Sequence, residues 1–445
     1  MKLHRVSALA AVAVLAAACS STGGSAAPSA GGASGAPAGS GATGSTTGDP
    51  AQAAACKSQK AAGNEIHVYS SLPLGGTNTP QTTAMVEQIK ATLDGQKIGN
   101  DTIKYTSLDD SSAAKNGDWD GTVETSNANQ AANDPAAMVY IGTYNSGAAK
   151  LSIPILNAAC LVMLSPANSY PGLTHAVQGV TAQGEPDTYY PGGYRNYARN
   201  INTDDHQGGA SSEWAQSLGF KKAYVIDDGQ TYGQGIGRAW AQHFGAIGGT
   251  VVSANGSSES YDPKATDFQA LAQKIKSSGA DVVFIGAITA PTTGALWKAI
   301  KVADPKIQIF APDGVNDRSW YDGAGAAANG TYLTFGGVDI SQLQGSGSTW
   351  ASQYGAAHNG NLPPFYAAYG KSAAQDVLAA LEKTGKDATD RLAVLQAVTG
   401  TNGIDTVVGP IGFDGNGDVV RGAISAYQIR SSWPPDYLGI IAKAN

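Results

Sequence analysis

The chain has 445 residues, of which 42% are hydrophobic and only 14% charged, with 57 glycines and a net charge of -7. No basic patch is available to replace counterions, which argues against nucleic acid as a partner. The acidic balance also gives no reason to expect an anionic substrate held by charge alone.

At the N-terminus, Lys2, His4 and Arg5 precede an apolar run over 6–18 that is too short for a membrane-spanning helix. The run ends in Leu15-Ala16-Ala17-Ala18-Cys19. This resembles a bacterial lipoprotein cleavage box, in which Cys19 becomes the lipid-bearing first residue. The alternative is an ordinary secretory signal cut near Ala18. From 20 to 55 the chain is almost only Ser, Gly, Ala, Thr and Pro, with Asp49 its one charge. Such a segment cannot bury enough surface to offset the entropy of ordering. It reads as a tether reaching on the order of 30 Å. Residues 1–18 are therefore expected to be a signal peptide and 19–55 a lipid anchor and tether, holding an extracytoplasmic body near a membrane. No later stretch is long and apolar enough to span one.

The body of roughly 390 residues is long enough for two domains. Cys56 and Cys160 remain for a disulfide in an oxidising compartment, the alternative being two unpaired thiols. A catalytic role for Cys160 is disfavoured, because it opens the apolar run Cys160-Leu161-Val162-Met163-Leu164, where a thiol is buried and inert.

Along the body, strands are expected at 66–69, 103–108, 138–141, 223–226, 250–253, 282–285 and 307–310. Helices are expected at 79–93, capped by Thr79 with Pro80 in the first turn, and at 233–244, 268–275 and around 296–302. Repeated βα alternation with continuous apolar strands predicts an α/β fold with parallel sheets covered on both faces. Two such sheets in a row suggest two doubly wound lobes, with ligand at the carboxyl ends of the strands. Residues 349–399 read as largely helical. A turn at 413–418 and a strand-like run to Ile429 follow.

Signatures of chemistry are missing. There is no phosphate loop, no His-Glu-x-x-His and no Gly-x-Ser-x-Gly elbow. Gly233, Gly235 and Gly237 imitate a dinucleotide loop, but Trp240 stands where its last glycine belongs, and Asp227 and Asp228 would repel a pyrophosphate. Asp414, Asn416 and Asp418 imitate half of a calcium loop. Val419 replaces its glycine and Ser425 its glutamate, so a hairpin turn is expected there. The six histidines are scattered, with no pair at metal-ligand spacing. No cofactor, metal or catalytic constellation is expected.

Several stretches resemble the leucine/isoleucine/valine-binding family, the substrate-binding proteins of bacterial amino-acid ABC importers with the type I periplasmic binding protein fold. They are Ile141-Gly142 with Ser146; Leu164-Ser165-Pro166-Ala167-Asn168-Ser169-Tyr170-Pro171-Gly172-Leu173-Thr174; Asp204-Asp205-His206-Gln207-Gly208; and Asp227-Asp228-Gly229-Gln230-Thr231-Tyr232-Gly233-Gln234-Gly235. Thr266-Asp267-Phe268, Pro312-Asp313-Gly314-Val315 and Gly409-Pro410-Ile411 add to the resemblance, which runs from about Ile66 to Tyr427. It implies two lobes joined by three crossovers, near Thr203, Gly336 and Phe413. Residues 56–203 plus 337–412 would form lobe one, and 204–336 plus 413–445 lobe two, with ligand captured between them by hinge closure.

The resemblance also implies site residues. Ser146 and Ser169 would hold an α-carboxylate and α-ammonium, with the Ala167 carbonyl accepting from the ammonium. Asp313 would pair with the ammonium, Tyr232 would line the cleft from lobe two, and Asp204 would lie at a crossover. Bland alternatives stay open: a helix cap for Ser146 or Asp204, a turn for Ser169 or Asp313, and packing for Tyr232. Ile288 departs from the family by standing where an aromatic residue is usual. Asp313 departs by being one methylene shorter than the usual glutamate.

The expected function is a lipid-anchored, monomeric solute-binding protein that performs no chemistry. It would deliver a branched-chain or related amino acid to ABC permease subunits in the membrane. A sensor for a membrane receptor, a binder of an amide or aromatic acid, and an extracellular enzyme on the same scaffold are the alternatives.

Overall fold

Runs of fully buried apolar residues build two central sheets. The computed structural model describes residues 56, 59–420 and 422–443. The expected signal peptide, Cys19 and the tether lie outside those residues.

The first sheet contains Glu65–Leu72 (β1), Lys97–Ile98 (β2), Asp101–Asp109 (β3), Ala137–Gly142 (β4), Val162–Ser165 (β5) and Tyr197–Arg199 (β6). Its order is β2-β3-β1-β4-β5-β6. All pairs are parallel except β2 with β3. Every residue of β4 and β5 is buried, as a parallel strand covered on both faces requires. Three helices alternate with these strands: Thr79–Leu93 (α1), Gly121–Asn133 (α2) and Ser146–Ala158 (α3).

After Arg199 the chain passes through Asp204–Ser217 (α4) into a second sheet. Its parallel part comprises Lys222–Asp227 (β7), Thr250–Val251 (β8), Glu259–Ser260 (β9), Val282–Gly286 (β10), Gln308–Ala311 (β11) and Tyr332–Phe335 (β12). The intervening helices are Thr231–Ala246 (α5), Gln269–Ser277 (α6), Thr293–Ala303 (α7) and Arg318–Ala324 (α8). The chain then returns to the first half with Ser346–Ala357 (α9), Phe365–Thr384 (α10) and Arg391–Thr399 (α11), followed by a hairpin of Asn402–Thr406 (β13) and Gly409–Gly412 (β14). It ends in the second sheet with Ala423–Gln428 (β15) and Asp436–Lys443 (β16), both antiparallel. The second sheet runs β16-β15-β12-β11-β10-β7-β8, with β9 also on β7.

Two packing features hold the first half together. Helix α10 lies on α1, where a Cβ on Gly370 would stand 3.1 Å from the Met85 backbone, so the small residue sets the helix spacing. The buried Arg391 guanidinium donates to the carbonyls of Asp134 (2.6 Å), Ala159 (2.8 Å) and Ala137 (2.9 Å). It thereby supplies donors to carbonyls at the ends of α2 and α3, which have no intrahelical partner. Cys56 and Cys160 form a disulfide with Cα atoms 5.4 Å apart, tying the start of the described chain to the turn between α3 and β5.

Three local expectations change. Thr79 is the first helical residue of α1 and not its cap; Asn78 holds that position, and the Thr79 hydroxyl donates to the Gly76 carbonyl. Helix α5 starts at Thr231, two residues before the first glycine of its run. The glycines there serve helix–strand packing: a Cβ on Gly233 would meet the Gly286 carbonyl at 2.5 Å, and one on Gly286 would meet the Gly233 carbonyl at the same distance. Strand β8 is limited to two residues.

A long excursion over 166–196 links β5 to β6 and lies against α5. Arg238 donates to the Val180 carbonyl at 3.4 Å, and Tyr170 packs where a Cβ on Gly235 would otherwise stand. No helix among the described residues is long and apolar enough to cross a membrane.

Candidate functional site

In each sheet the strand order reverses beside the first strand, β1 lying between β3 and β4, and β7 between β8 and β10. Crevices at the carboxyl ends of such strands are where doubly wound folds bind ligands. The predicted residues all fall at such ends or at helix starts beside them. Ser146 follows β4, Ala167 and Ser169 follow β5, Ile288 follows β10 and Asp313 follows β11. Asp204 and Tyr232 sit in the first turns of α4 and α5.

The two halves meet over this region. Thr77 donates to the Thr289 carbonyl at 2.7 Å, and the Trp119 indole to the Gln230 amide oxygen at 3.1 Å. A Cβ on Gly147 would stand 2.7 Å from the Trp119 ring and 3.6 Å from the Thr231 hydroxyl, so the heads of α3 and α5 face one another closely. Helices α3, α4 and α5 all lack a side-chain cap at their N-termini. Their first N–H groups and aligned dipoles favour a negative group. The Ser146 hydroxyl stands at the head of α3, accepting a long bond of 3.4 Å from the Tyr170 N–H.

Asp313 is ringed by donors. One oxygen accepts from Gln207 (2.6 Å) and Tyr232 (3.3 Å), and the other from the Tyr366 hydroxyl. Burial raises its carboxyl, and bonds from Tyr366, Gln207 and Tyr232 pull it part of the way back. Tyr366 comes from α10 and meets Tyr144 edge to face, with ring centroids 5.4 Å apart. Sequence reasoning missed both Tyr366 and Gln207 as site residues. Gln207 lies within the stretch Asp204-Asp205-His206-Gln207-Gly208 with no local signal of a role, and Tyr366 in the first turn of α10 looks like an ordinary core aromatic.

Asp204 differs. It is fully buried, and neither oxygen has a hydrogen-bond partner of good geometry within the protein. Burial holds its carboxyl well above the usual range; the nearby Ser169 hydroxyl opposes the rise and the Asp313 charge adds to it. It does not cap α4, being its first helical residue. Ile288 packs among core residues with Tyr232, Phe284 and Phe310, and its N–H donates to Asp228 at 2.9 Å. Asp228 also accepts from the Gln230 N–H, so it braces two loops; burial pushes it up to about 7.

The turn at 413–418 uses its own acids. Asp414 accepts from the N–H groups of Asn416 (2.8 Å) and Asp418 (2.9 Å). Asp418 pairs with the buried Arg199 at 2.7 Å and with His175 at 2.9 Å. No group of three or more acidic, His or Cys side chains suited to a metal occurs among the described residues.

These groups set a pH response. His175, held between Asp205 and Asp418 against the cost of burial, is pushed up to about 9. Its contribution is complete below its ordinary value of 6.5 and lost as pH rises through 9. Burial pushes Glu124, Asp228 and Asp376 up to about 7. The folded state keeps these protons after the unfolded chain releases them, so stability again falls with rising pH. For Glu124, carried from 4.5 to about 7, the loss is about 3 kcal/mol. Asp205 and Asp418 are depressed and act only at lower pH. The melting temperature is therefore expected to fall between pH 5 and pH 8 in a scan at constant ionic strength. A flat or rising curve contradicts these assignments.

The sequence profile of periplasmic binding proteins matches residues 72–432. The chain belongs to that family. Its members are solute binders and not enzymes, and this binding protein acts outside the cytoplasm accordingly. The Leu/Ile/Val-binding protein BraC3 of Rhizobium johnstonii is 26% identical over 303 residues, covering 68% of this chain and 75% of its own. The leucine binding protein LivK of Thermotoga maritima superimposes with a TM-score of 0.72 at 20% identity, over 84% of this binding protein and 98% of its own chain. A solute binding protein of R. palustris in complex with benzoate gives 0.69 at 20% identity, over 86% and 97%. These likenesses establish the two-lobed α/β fold.

Proposed function

We propose that this binding protein captures a small α-amino acid between its lobes and delivers it to an ABC permease. One observation carries the reading: the Ser146 hydroxyl at an uncapped helix head takes the Tyr170 N–H, and the neighbouring Ser169 carbonyl takes the N–H of Asp204, whose buried carboxylate lacks a good partner. The helix head suits a carboxylate and Asp204 an ammonium, so together they suit a zwitterion. Asp204 then takes the main ammonium contact. Asp313, already accepting three bonds, adds its charge from the lobe-two side, and the Ala167 carbonyl and Ser169 hydroxyl complete the cage. An aromatic acid has no ammonium and would leave Asp204 buried and unpaired, which disfavours it.

The lobes of this reading are 56–203 plus 337–412, and 204–336 plus 413–445. A lipid on Cys19 tethers the monomer beside its permease. The test is calorimetric titration of the mature protein with a panel of amino acids, repeated with Ser146→Ala. Loss of one charge-assisted hydrogen bond is expected to weaken binding about tenfold. An unchanged affinity would sink the carboxylate assignment.

A further inference from the structure

Two buried asparagines next to predicted site residues bear on which amino acid the protein takes. Asn145 stands at the head of α3 immediately before Ser146, and Asn316 follows the short turn that carries Asp313. They are 1% and 3% exposed, and both side-chain atoms of each, oxygen and nitrogen, lack a hydrogen-bond partner within the protein. Asn145 occupies the cap position of α3 without capping it. Asn316 immediately precedes Asp317, whose side chain does cap α8.

The two loops belong to opposite lobes and are linked through Tyr366 of α10. Tyr144, beside Asn145, packs on Tyr366, whose hydroxyl donates to Asp313. The Tyr144 phenol also lies within electrostatic reach of Asp313 and Asp317, which bracket Asn316. A buried amide left unpaired costs roughly 1–3 kcal/mol for each unmet group. A branched aliphatic side chain between these loops would leave all four atoms unmet. A ligand side chain that both donates and accepts would meet them.

The geometry points to a polar subsite, formed by Asn145 and Asn316, that selects an α-amino acid with a terminal carboxamide or ureido group over a branched-chain one. This rests on the amino-acid reading above and adds the side-chain class to it. A site built to hydrogen-bond its substrate discriminates strongly against an analogue lacking that group, because its own polar atoms are then stranded.

The experiment is calorimetric titration of the full mature protein with L-glutamine, L-asparagine, L-citrulline and L-leucine, and of the Asn145→Leu and Asn316→Leu variants. At least one of the three polar amino acids is expected to bind tenfold or more tighter than leucine. Each variant is expected to erase that preference without lowering the melting temperature, since an apolar group of similar shape replaces unmet polar atoms. Leucine binding as tightly as the best polar amino acid, or a preference that survives both substitutions, overturns the subsite while leaving the amino-acid reading intact. Failure of every amino acid to bind overturns both.

Discussion

Asp204→Asn is expected to weaken amino-acid binding by about a hundredfold or more while raising the melting temperature of the protein measured without added solute. The two effects have one cause. Asp204 is fully buried with no hydrogen bond of good geometry to either oxygen, and the Asp313 charge opposes the help that the Ser169 hydroxyl and the more distant Arg199 give it. An ionised carboxylate in that position is costly unless a cation meets it. A ligand ammonium supplies the cation, and removing one partner of a buried charged pair costs about 3–5 kcal/mol, roughly a hundredfold to several thousandfold in affinity. In the absence of solute the same change removes a liability. Such opposed effects on stability and function are typical of residues kept for binding. Titration calorimetry and a thermal scan check both halves. An affinity within threefold of the native protein, or a lower melting temperature, would contradict the assignment.

The double variant Cys56→Ser, Cys160→Ser is expected to lose about 4–5 kcal/mol of stability, the chain-entropy figure for a cross-link spanning 104 residues. Both half-cystines are buried, so the variant gains no compensating solvation. Binding should be unchanged. The bridge lies where the chain enters β5, at the amino end of the strand, whereas the candidate site lies at the carboxyl ends. Urea unfolding measures the first effect and titration the second. A stability loss below 1 kcal/mol would mean that the bridge merely decorates a segment already fixed by other contacts, and a change in affinity would mean that strain travels through β5 to the site.

The elements legible in the sequence were those whose signal is local. The apolar runs within β4 and β10 stand out because parallel strands buried on both faces need no alternation. Helix α1 announced itself by its spacing and by Pro80 in the first turn. Helix α2 did not, because its inward face carries Glu124 and Asn127, bound to Ser71, Tyr140 and Ser152 and to the Asp109 carbonyl, where periodicity looks for apolar residues. The site divides in the same way. Ser146, Ser169 and Asp313 sit in stretches with a recognisable pattern. The roles of Gln207 and Tyr366 arise only when α4 and α10, far apart in sequence, converge on Asp313. Asn145 is hidden by resemblance: an asparagine before a helix looks like a cap, and only the structure shows that its side chain caps nothing.

The excursion over 166–196 and the bonds from Thr77, Trp119 and Arg238 have a kinetic consequence. Ser146, Asp204 and Asp313 are each at most 5% exposed, so under the proposed assignment solute would pass in or out only when those contacts break. The residence time of a captured molecule is then governed by how often the lobes part, more than by the strength of any single contact within. A membrane partner that holds the lobes open would set the pace of release without touching the solute at all.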